Sequence, residues 1–297
     1  MRVLVSGASG FIGGALAVAL GREGHTVRGL GRTAAPGMEW RQADLADPQS
    51  LQGCCAGIDA VCHLAGSAHV NAPRAVHEAI TVEGTRALLA EAKSAGVQSF
   101  LFVSSIKAVC SRDDYARSRL AAEALVLAAN GMASHVVRPA LVYGPGMKGN
   151  LAHLLAWAGR PAPLPIPKGL AVRSMVHRDD LVAVIVALLA KVATTGPWVV
   201  SDGLPYTLWD IYAAMRHACH RRVLPLHVPA VWVRGAAAAG DVLGRLSGRA
   251  LPFDSGALRP LLESCYVEDR QVWRALGMNP RWTLATALAG MMDGENG

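Results

Sequence analysis

A short β-branched run, Arg2–Ser6 (RVLVS), leads straight into Gly7-Ala8-Ser9-Gly10-Phe11-Ile12-Gly13, and an apolar helical pattern over Phe11–Glu23 starts inside the glycines. A strand, a tight turn and a helix start packed into so few residues leave little choice of geometry. Gly7 permits the turn, Gly10 lets the backbone approach a ligand, and Gly13 lets the helix lie close to the strand. The first turn of such a helix presents unpaired N–H groups and the positive end of the helix dipole, an arrangement suited to a pyrophosphate.

The rhythm that follows extends this beginning. Thr26–Gly29, Ala60–Leu64 (AVCHL), Phe100–Ser104 (FLFVS) and His135–Arg138 (HVVR) read as strands. Several are continuously apolar, as expected of a parallel sheet covered on both faces. Between them Pro48–Cys54, Ala75–Ala95 and Tyr115–Ala129 read as helices. Alternating βαβ units predict an α/β fold with a doubly wound parallel sheet. After Pro139 the pattern changes. Pro161-Ala-Pro-Leu-Pro-Ile-Pro167 excludes helix and central strand. Helices are expected near Asp179–Lys191, Leu208–Cys219, Ala230–Leu246 and Arg270–Leu276, with a short strand at Trp198–Val200. The expected organisation is a dinucleotide-binding domain over residues 1–150 and a smaller mixed lobe over 151–297, interleaved so that the segment near 174–200 returns to the first.

With 52% hydrophobic and 17% charged residues in 297, the chain has a globular composition rather than a disordered one. The formal charge of +7 is carried by single scattered cations, so nucleic acid is not the expected partner; the charge reads as a solvated basic surface or as a bias toward anionic small molecules such as nucleotides. Cysteines 54, 55, 62, 110, 219 and 265 show neither a Cys-x-x-Cys nor a Cys/His ligand spacing, so no metal site is expected. The strand-like start without a signal segment, and the absence of an apolar run long enough to span a bilayer, predict free thiols and a cytoplasmic protein.

Tyr115-Ala-Arg-Ser-Arg119 follows a strand that ends in Ser104-Ser105. A helix repeats about every 3.6 residues, so a Tyr and a cation four apart share one face. A nearby cation can depress a phenol pKa, which makes Tyr115 a candidate proton-transfer group with Arg119 beside it, and the Ser105 hydroxyl can bond the same substrate oxygen. Strand two ends at Leu30-Gly31-Arg32. No carboxylate stands there to bond a ribose 2′-hydroxyl, and Arg32 can pair with a 2′-phosphate, so NADP is expected over NAD.

Together with the glycine spacing, Asp44-Leu45, His63-Leu-Ala-Gly66, the Ser104-Ser105 strand end and Arg138-Pro-x-x-Val-Tyr-Gly-Pro145, these residues resemble the extended short-chain dehydrogenase/reductase family. More narrowly, they resemble its NAD(P)-dependent epimerase/dehydratase branch, which acts on nucleoside-diphosphate sugars. The similarity continues through Lys148-Gly-Asn150, Arg173-Ser-Met-Val-His177, Ser201-Asp-Gly203 and Leu276-Gly-x-x-Pro280. The resemblance implies that Gly7, Gly10, Phe11, Ile12 and Gly13 hold the pyrophosphate of NADP or NAD. Asp44 and Leu45 would contact the adenine, and Ala65, Gly66, Arg138 and Pro139 would belong to the cofactor site. Ser105, Tyr115 and Arg119 would be the catalytic residues, and Asn150 and Arg173 would bind the substrate's diphosphate, UDP or dTDP. His63 and His177 read as structural. The expected reaction is hydride transfer at C4 of the sugar, by a 4-keto-sugar reductase or a UDP-hexose 4-epimerase, in a possible homodimer joined through the Ala75–Ala95 and Tyr115–Ala129 helices.

Three departures from the family pattern qualify this. Arg119 stands in place of a lysine, Thr81 in place of an asparagine, and only Ile106 to Asp114 separate Ser105 from Tyr115. They motivate the alternative of a dinucleotide-binding regulator or scaffold impaired in turnover; a reductase of a non-sugar carbonyl fits the same catalytic core. Ile106-Lys-Ala108 lacks the acidic pair of dehydratases, which disfavours dehydration.

Overall fold

The structure, a computed structural model, describes residues 1–67, 72–164, 166–167, 171–190, 196–224, 227–229, 235, 238 and 264–293. The helix expected at Ala230–Leu246 lies, apart from Gly235 and Ala238, outside the described residues.

The chain divides into two compact units, residues 1–142, 176–201 and 269–281 in the first and 143–175, 202–268 and 282–297 in the second. The crossing at Val142 comes earlier than residue 150, and a further short segment, 269–281, rejoins the first unit. The first unit holds β1 (Arg2–Ser6), α1 (Phe11–Arg22), β2 (Thr26–Gly31), β3 (Glu39–Gln42), β4 (Ala60–His63), α2 (Arg74–His77), α3 (Gly84–Ser94), β5 (Ser99–Val103), α4 (Lys107–Cys110), α5 (Asp114–Leu127) and β6 (Ala133–Pro139). β7 (Leu141–Tyr143) lies at the crossing. The second unit contains α6 (Asn150–Ala158) and β8 (Ile166–Pro167), and β9 (Met175–His177) leads back. α7 (Arg178–Ala190) and β10 (Trp198–Val200) complete the return, followed by α8 (Leu208–Ala218), β11 (His227–Val228), α9 (Gln271–Leu276) and α10 (Leu284–Asp293).

Seven parallel strands form one sheet in the order β10-β6-β5-β4-β1-β2-β3. The chain runs outward from β1 to β3, then restarts on the other side of β1 with β4. This reversal puts the ends of β1 and β4 side by side, and a crevice opens where such a switch occurs. β4 and β5 are buried along their whole length, which accounts for the apolar runs Ala60–Cys62 and Phe100–Val103 within them. Leu4, Leu30, Val61, Leu88, Phe100, Phe102, Val126 and Val136 share the core beneath. The second unit has its own core, with Tyr143, Leu151, Met175, Ile211, Tyr212, Met215 and Leu288 buried.

Three local elements differ from expectation. β3 (Glu39-Trp-Arg-Gln42) is an exposed edge strand with a polar sequence, so its alternation is silent; what fixes it is Trp40, which lies where a Cβ on Gly29 would fall, 2.5 Å from its ring. The segment Pro48–Cys54 shortens to a 3-10 turn over Pro48–Leu51, capped by the Asp47 carboxylate on the Gln49 N–H. The expected helix Ala75–Ala95 is interrupted by a π-helical turn, Glu78–Glu83, between α2 and α3. Such a turn carries one extra residue per turn and tends to occur at functional sites.

The glycine loop is tightly packed. A Cβ on Gly13 would lie 2.1 Å from the Gly7 carbonyl oxygen, and Gly7 itself has φ +74°. Helix propensity alone favours Ala over Gly by about 1 kcal/mol. Gly13→Ala is nevertheless expected to lower stability, by roughly 1–3 kcal/mol from overpacking, and to weaken dinucleotide binding. Thermal unfolding with and without NADP checks this; a raised Tm would mean the contact is not as tight as described.

Candidate active site

The cradle for a dinucleotide is built from the ends of β1 and β4. Gly10 is the N-cap of α1, makes no side-chain cap, and no acidic residue occupies the first turn, so an anion meets bare amides and the dipole. Phe11 and Ile12 are half-buried at that turn, and the Arg178 guanidinium stacks on the Phe11 ring at 5.5 Å. Ser6 Oγ accepts the N–H groups of Leu64 and Ala65, both at 3.1 Å, and so ties the β4 turn to β1. That brings Ala65 against Gly7, where a Cβ would stand 3.1 Å from the Ala65 nitrogen. Arg32 is exposed just beyond β2. Asp44 is half-buried, with one carboxylate oxygen accepting the Ala46 N–H, and Leu45 is buried against Gly84. These residues fit a dinucleotide: the amides are uncapped, and any side chain at Gly7 or Gly13 would fill the turn.

Tyr115 stands in the first turn of α5, capped by Asp113, whose carboxylate accepts the Ala116 N–H at 2.7 Å. The phenol ring is half-buried and flanked by two cations. The Arg119 guanidinium lies 5.1 Å from the ring centroid and the Lys107 ammonium 6.0 Å away. Arg119 is 5% exposed. It donates to the Val103 carbonyl at 3.2 Å, sits 5.7 Å from the Phe102 ring, and comes so close to Gly66 that a Cβ there would be 2.8 Å from it. The cation in the lysine position is thus turned into the protein beneath the β4 turn. Ser105 follows β5; its Oγ accepts the Lys107 N–H at 3.2 Å, and the Ile106 N–H donates to the Pro139 carbonyl at 2.9 Å. Thr81, inside the π-helical turn, accepts the Ser67 N–H at 3.3 Å.

The side chain of Arg138, a residue expected in the cofactor site, is paired within the protein. Its guanidinium forms a two-pronged ion pair with Glu123, which is 3% exposed and also accepts the Ser104 hydroxyl. This triad locks α5 to the ends of β5 and β6 and so sets the height of Tyr115 over the sheet. Sequence reading missed Glu123 because its partners lie on two other elements. His63 is structural: it bonds Ser6 at 2.6 Å and Thr85 at 3.0 Å, and burial, with the Arg119 charge added, pushes its pKa down to about 3.

In the second unit Asn150 is exposed at the first residue of α6, after Gly149 as N-cap. Arg173 is half-buried, its backbone paired with Tyr206 and bridged to Cys265, and burial lowers its pKa. Both are presented by that unit, whereas the cradle, Ser105, Tyr115 and Arg119 belong to the first.

A glycine cradle at the switch point of a doubly wound sheet, with a Tyr helix beside it, defines a nicotinamide-dinucleotide-binding protein of the short-chain dehydrogenase type. Residues 3–200 match the model of the NAD dependent epimerase/dehydratase family, and the chain belongs to that family. Its cofactor is NAD or NADP. Similar proteins include a ceramide reductase of Caulobacter vibrioides, 29% identical over 88% of this chain and 84% of the relative. A UDP-glucose 4-epimerase of Vibrio cholerae is 26% identical over 95% of this chain and 92% of the relative. Among solved structures, the UDP-glucose 4-epimerase of Thermotoga maritima superposes with a TM-score of 0.80 at 18% identity, covering 100% of this chain and 99% of the other. Among the described residues no helix is long and apolar enough to cross a membrane.

The low pKa of His63 has a consequence for stability. Between about 3 and the ordinary value of 6.5 the unfolded chain binds a proton at this residue and the folded chain does not. Stability from this group is therefore nearly complete a unit above pH 6.5 and declines as pH falls, by about 0.7 kcal/mol between pH 7 and 6 and by up to about 1.4 kcal/mol per unit below that, down to about pH 3. Denaturant unfolding at pH 7, 6 and 5 should show that slope, and His63→Gln should flatten it. An unchanged slope in the variant would assign the acid sensitivity to other groups.

Proposed function

We propose that this protein is an NAD(P)-dependent oxidoreductase that transfers hydride at C4 of a nucleoside-diphosphate sugar, as a 4-keto-sugar reductase or a UDP-hexose 4-epimerase. The observation that carries the reading is the half-buried Tyr115 phenol held between two cations, in the same unit as an uncapped dinucleotide cradle. A nicotinamide dinucleotide held at the cradle of Gly7, Gly10 and Gly13 would supply the hydride chemistry. The chain's own residues do the rest. Ser105 offers a hydroxyl to the reacting sugar oxygen, Tyr115 gives that oxygen a proton during reduction or takes one during oxidation, and Arg119 stabilises negative charge as it develops on the phenol. Asn150 and Arg173 are assigned to the substrate diphosphate; an arginine matches phosphate geometry with two parallel donors. Arg32, exposed beyond β2 with no carboxylate in its place, favours NADP over NAD.

A second reading, reduction of a non-sugar ketone, is favoured by the ceramide reductase and by a 3-beta-hydroxysteroid dehydrogenase of Mycolicibacterium neoaurum, 26% identical over 97% of this chain and 89% of the relative. It uses the same first-unit chemistry and differs only in what the second unit recognises.

One assay separates these. Cofactor fluorescence titration gives the NAD and NADP affinities, and NADP should bind more tightly. Reduced-cofactor absorbance is then followed with UDP- and dTDP-4-keto sugars, UDP-hexoses, hydroxysteroids and long-chain ketones. Turnover of the sugar nucleotides is expected, with Tyr115→Phe lowering kcat by about 100-fold or more and leaving KM nearly unchanged. Turnover of the apolar ketones alone selects the second reading. Cofactor binding without turnover of any member would make the chain a dinucleotide-binding regulator.

A further inference from the structure

His63, fully buried at the end of β4, is the middle of a hydrogen-bonded chain that runs across the first unit. Its Nδ1 meets the Ser6 hydroxyl of β1 at 2.6 Å, and its Nε2 meets the Thr85 hydroxyl of α3 at 3.0 Å. Thr85 Oγ1 continues to the Thr81 carbonyl at 2.5 Å, inside the π-helical turn, and the Thr81 hydroxyl accepts the Ser67 N–H at 3.3 Å. At the other end Ser6 Oγ accepts the N–H groups of Leu64 and Ala65, the first of them shared with the Ser6 carbonyl at 3.2 Å. The chain therefore begins and ends on one short segment, Leu64–Ser67, the turn that follows β4.

Counting protons fixes the direction of its bonds. Thr85 has a single hydroxyl proton, and the carbonyl beside it can only accept, so that proton lies on the bond to Thr81. The Thr85 oxygen can then only accept from His63, and Nε2 carries the imidazole proton. Ser6 Oγ already accepts two N–H groups, which leaves its own proton for Nδ1. Both ends call for the same ring, neutral and protonated on Nε2. With the proton on Nδ1 instead, Nε2 would face an oxygen that has nothing to donate. With both nitrogens protonated, Ser6 would be left without an acceptor.

We propose that His63 is a positioning residue for the dinucleotide: its Nε2-protonated ring aligns the Ser6 hydroxyl on one side and the Thr85–Thr81 pair on the other, and so holds the Leu64–Ser67 turn at both ends. This turn forms one wall of the cradle, with Ala65 against Gly7 and Gly66 against Arg119. A wall held in place before the ligand arrives leaves less to be ordered on binding. The proposal rests on the dinucleotide cradle alone and is independent of the substrate. Phenylalanine at this position can keep the ring packing, since the imidazole centroid lies 6.0 Å from Phe100 and 5.4 Å from Phe102, but it cuts the chain at its centre. Glutamine keeps one acceptor and one donor on its amide.

The test is cofactor affinity without substrate. Fluorescence titration with NADP and NAD is carried out on the wild type, His63→Phe, His63→Gln, Ser6→Ala and the double variant Ser6→Ala/His63→Phe. Kd should rise about tenfold in His63→Phe and in Ser6→Ala, and stay within about threefold of wild type in His63→Gln. The double variant should bind about as well as either single one, because the second cut meets a chain already open. Val97→Ala empties part of the core just before β5, at the opposite end of the strand from the cradle, and should lower Tm while leaving Kd unchanged. Wild-type Kd in folded His63→Phe, losses that multiply in the double variant, or an equal loss in Val97→Ala overturns the proposal. If His63→Phe does not fold, Ser6→Ala and His63→Gln carry the comparison, and wild-type affinity in Ser6→Ala overturns it. The ring ¹⁵N spectrum of the wild type is a second readout: a proton on Nε2 with Nδ1 bare is expected, and a proton on Nδ1 contradicts the chain. A wild type that binds neither cofactor removes the cradle and this role with it, whereas failure to turn over any sugar nucleotide leaves the result standing.

Discussion

The first unit is organised around one buried cation. The Arg119 guanidinium lies beneath the β4 turn, donates to the end of β5, and presents its face to Phe102 and Tyr115. A charge removed from water is costly unless it is bonded and paired; here one carbonyl and two aromatic rings meet part of that need, and Nε is left without a hydrogen-bond partner. Much of the surrounding sequence follows. A Cβ on Gly66 would press on the guanidinium, so one of the two would have to shift. His63 must stay neutral, and burial with the same charge keeps it so. Lysine offers a compact ammonium rather than a planar fork, so this pocket is shaped for arginine.

From that point the route from sheet to chemistry is short. β1 and β4 end side by side because the chain reverses its direction of winding between β3 and β4. Ser6 clamps the two ends together, which brings Ala65 to Gly7 and leaves the first turn of α1 open. On the other side, Ser104, Glu123 and Arg138 fasten α5 to β5 and β6. The result is a rigid frame in which cradle and phenol are held by secondary structure and buried pairs, as preorganised sites require.

The sheet, the glycine turn and the Tyr helix were legible in the sequence because each rests on local information: continuous apolar strands, glycines at a fixed spacing, and residues four apart on one helix face. β3 was not legible, since its packing depends on Trp40 covering glycines of a neighbouring strand. Nor was the π-helical turn, whose extra residue leaves the periodicity of Ala75–Ala95 nearly unchanged. Arg138 shows the limit most clearly. Its guanidinium is held by Glu123, a partner on another element that no spacing rule connects to it. The chain through His63 stayed hidden for the same reason, because Ser6 and Thr85 reach it from β1 and α3.

The central claim is that the site is adapted to Arg119 rather than damaged by it. Steady-state kinetics and thermal unfolding of Arg119→Lys test this most directly. Adaptation predicts a kcat at least tenfold lower and a lower Tm, as the ammonium can neither reach the Val103 carbonyl in the same geometry nor stack on both rings. A variant that turns over faster than the wild type at equal or greater Tm would contradict the account and mark Arg119 as the lesion of a weakened enzyme.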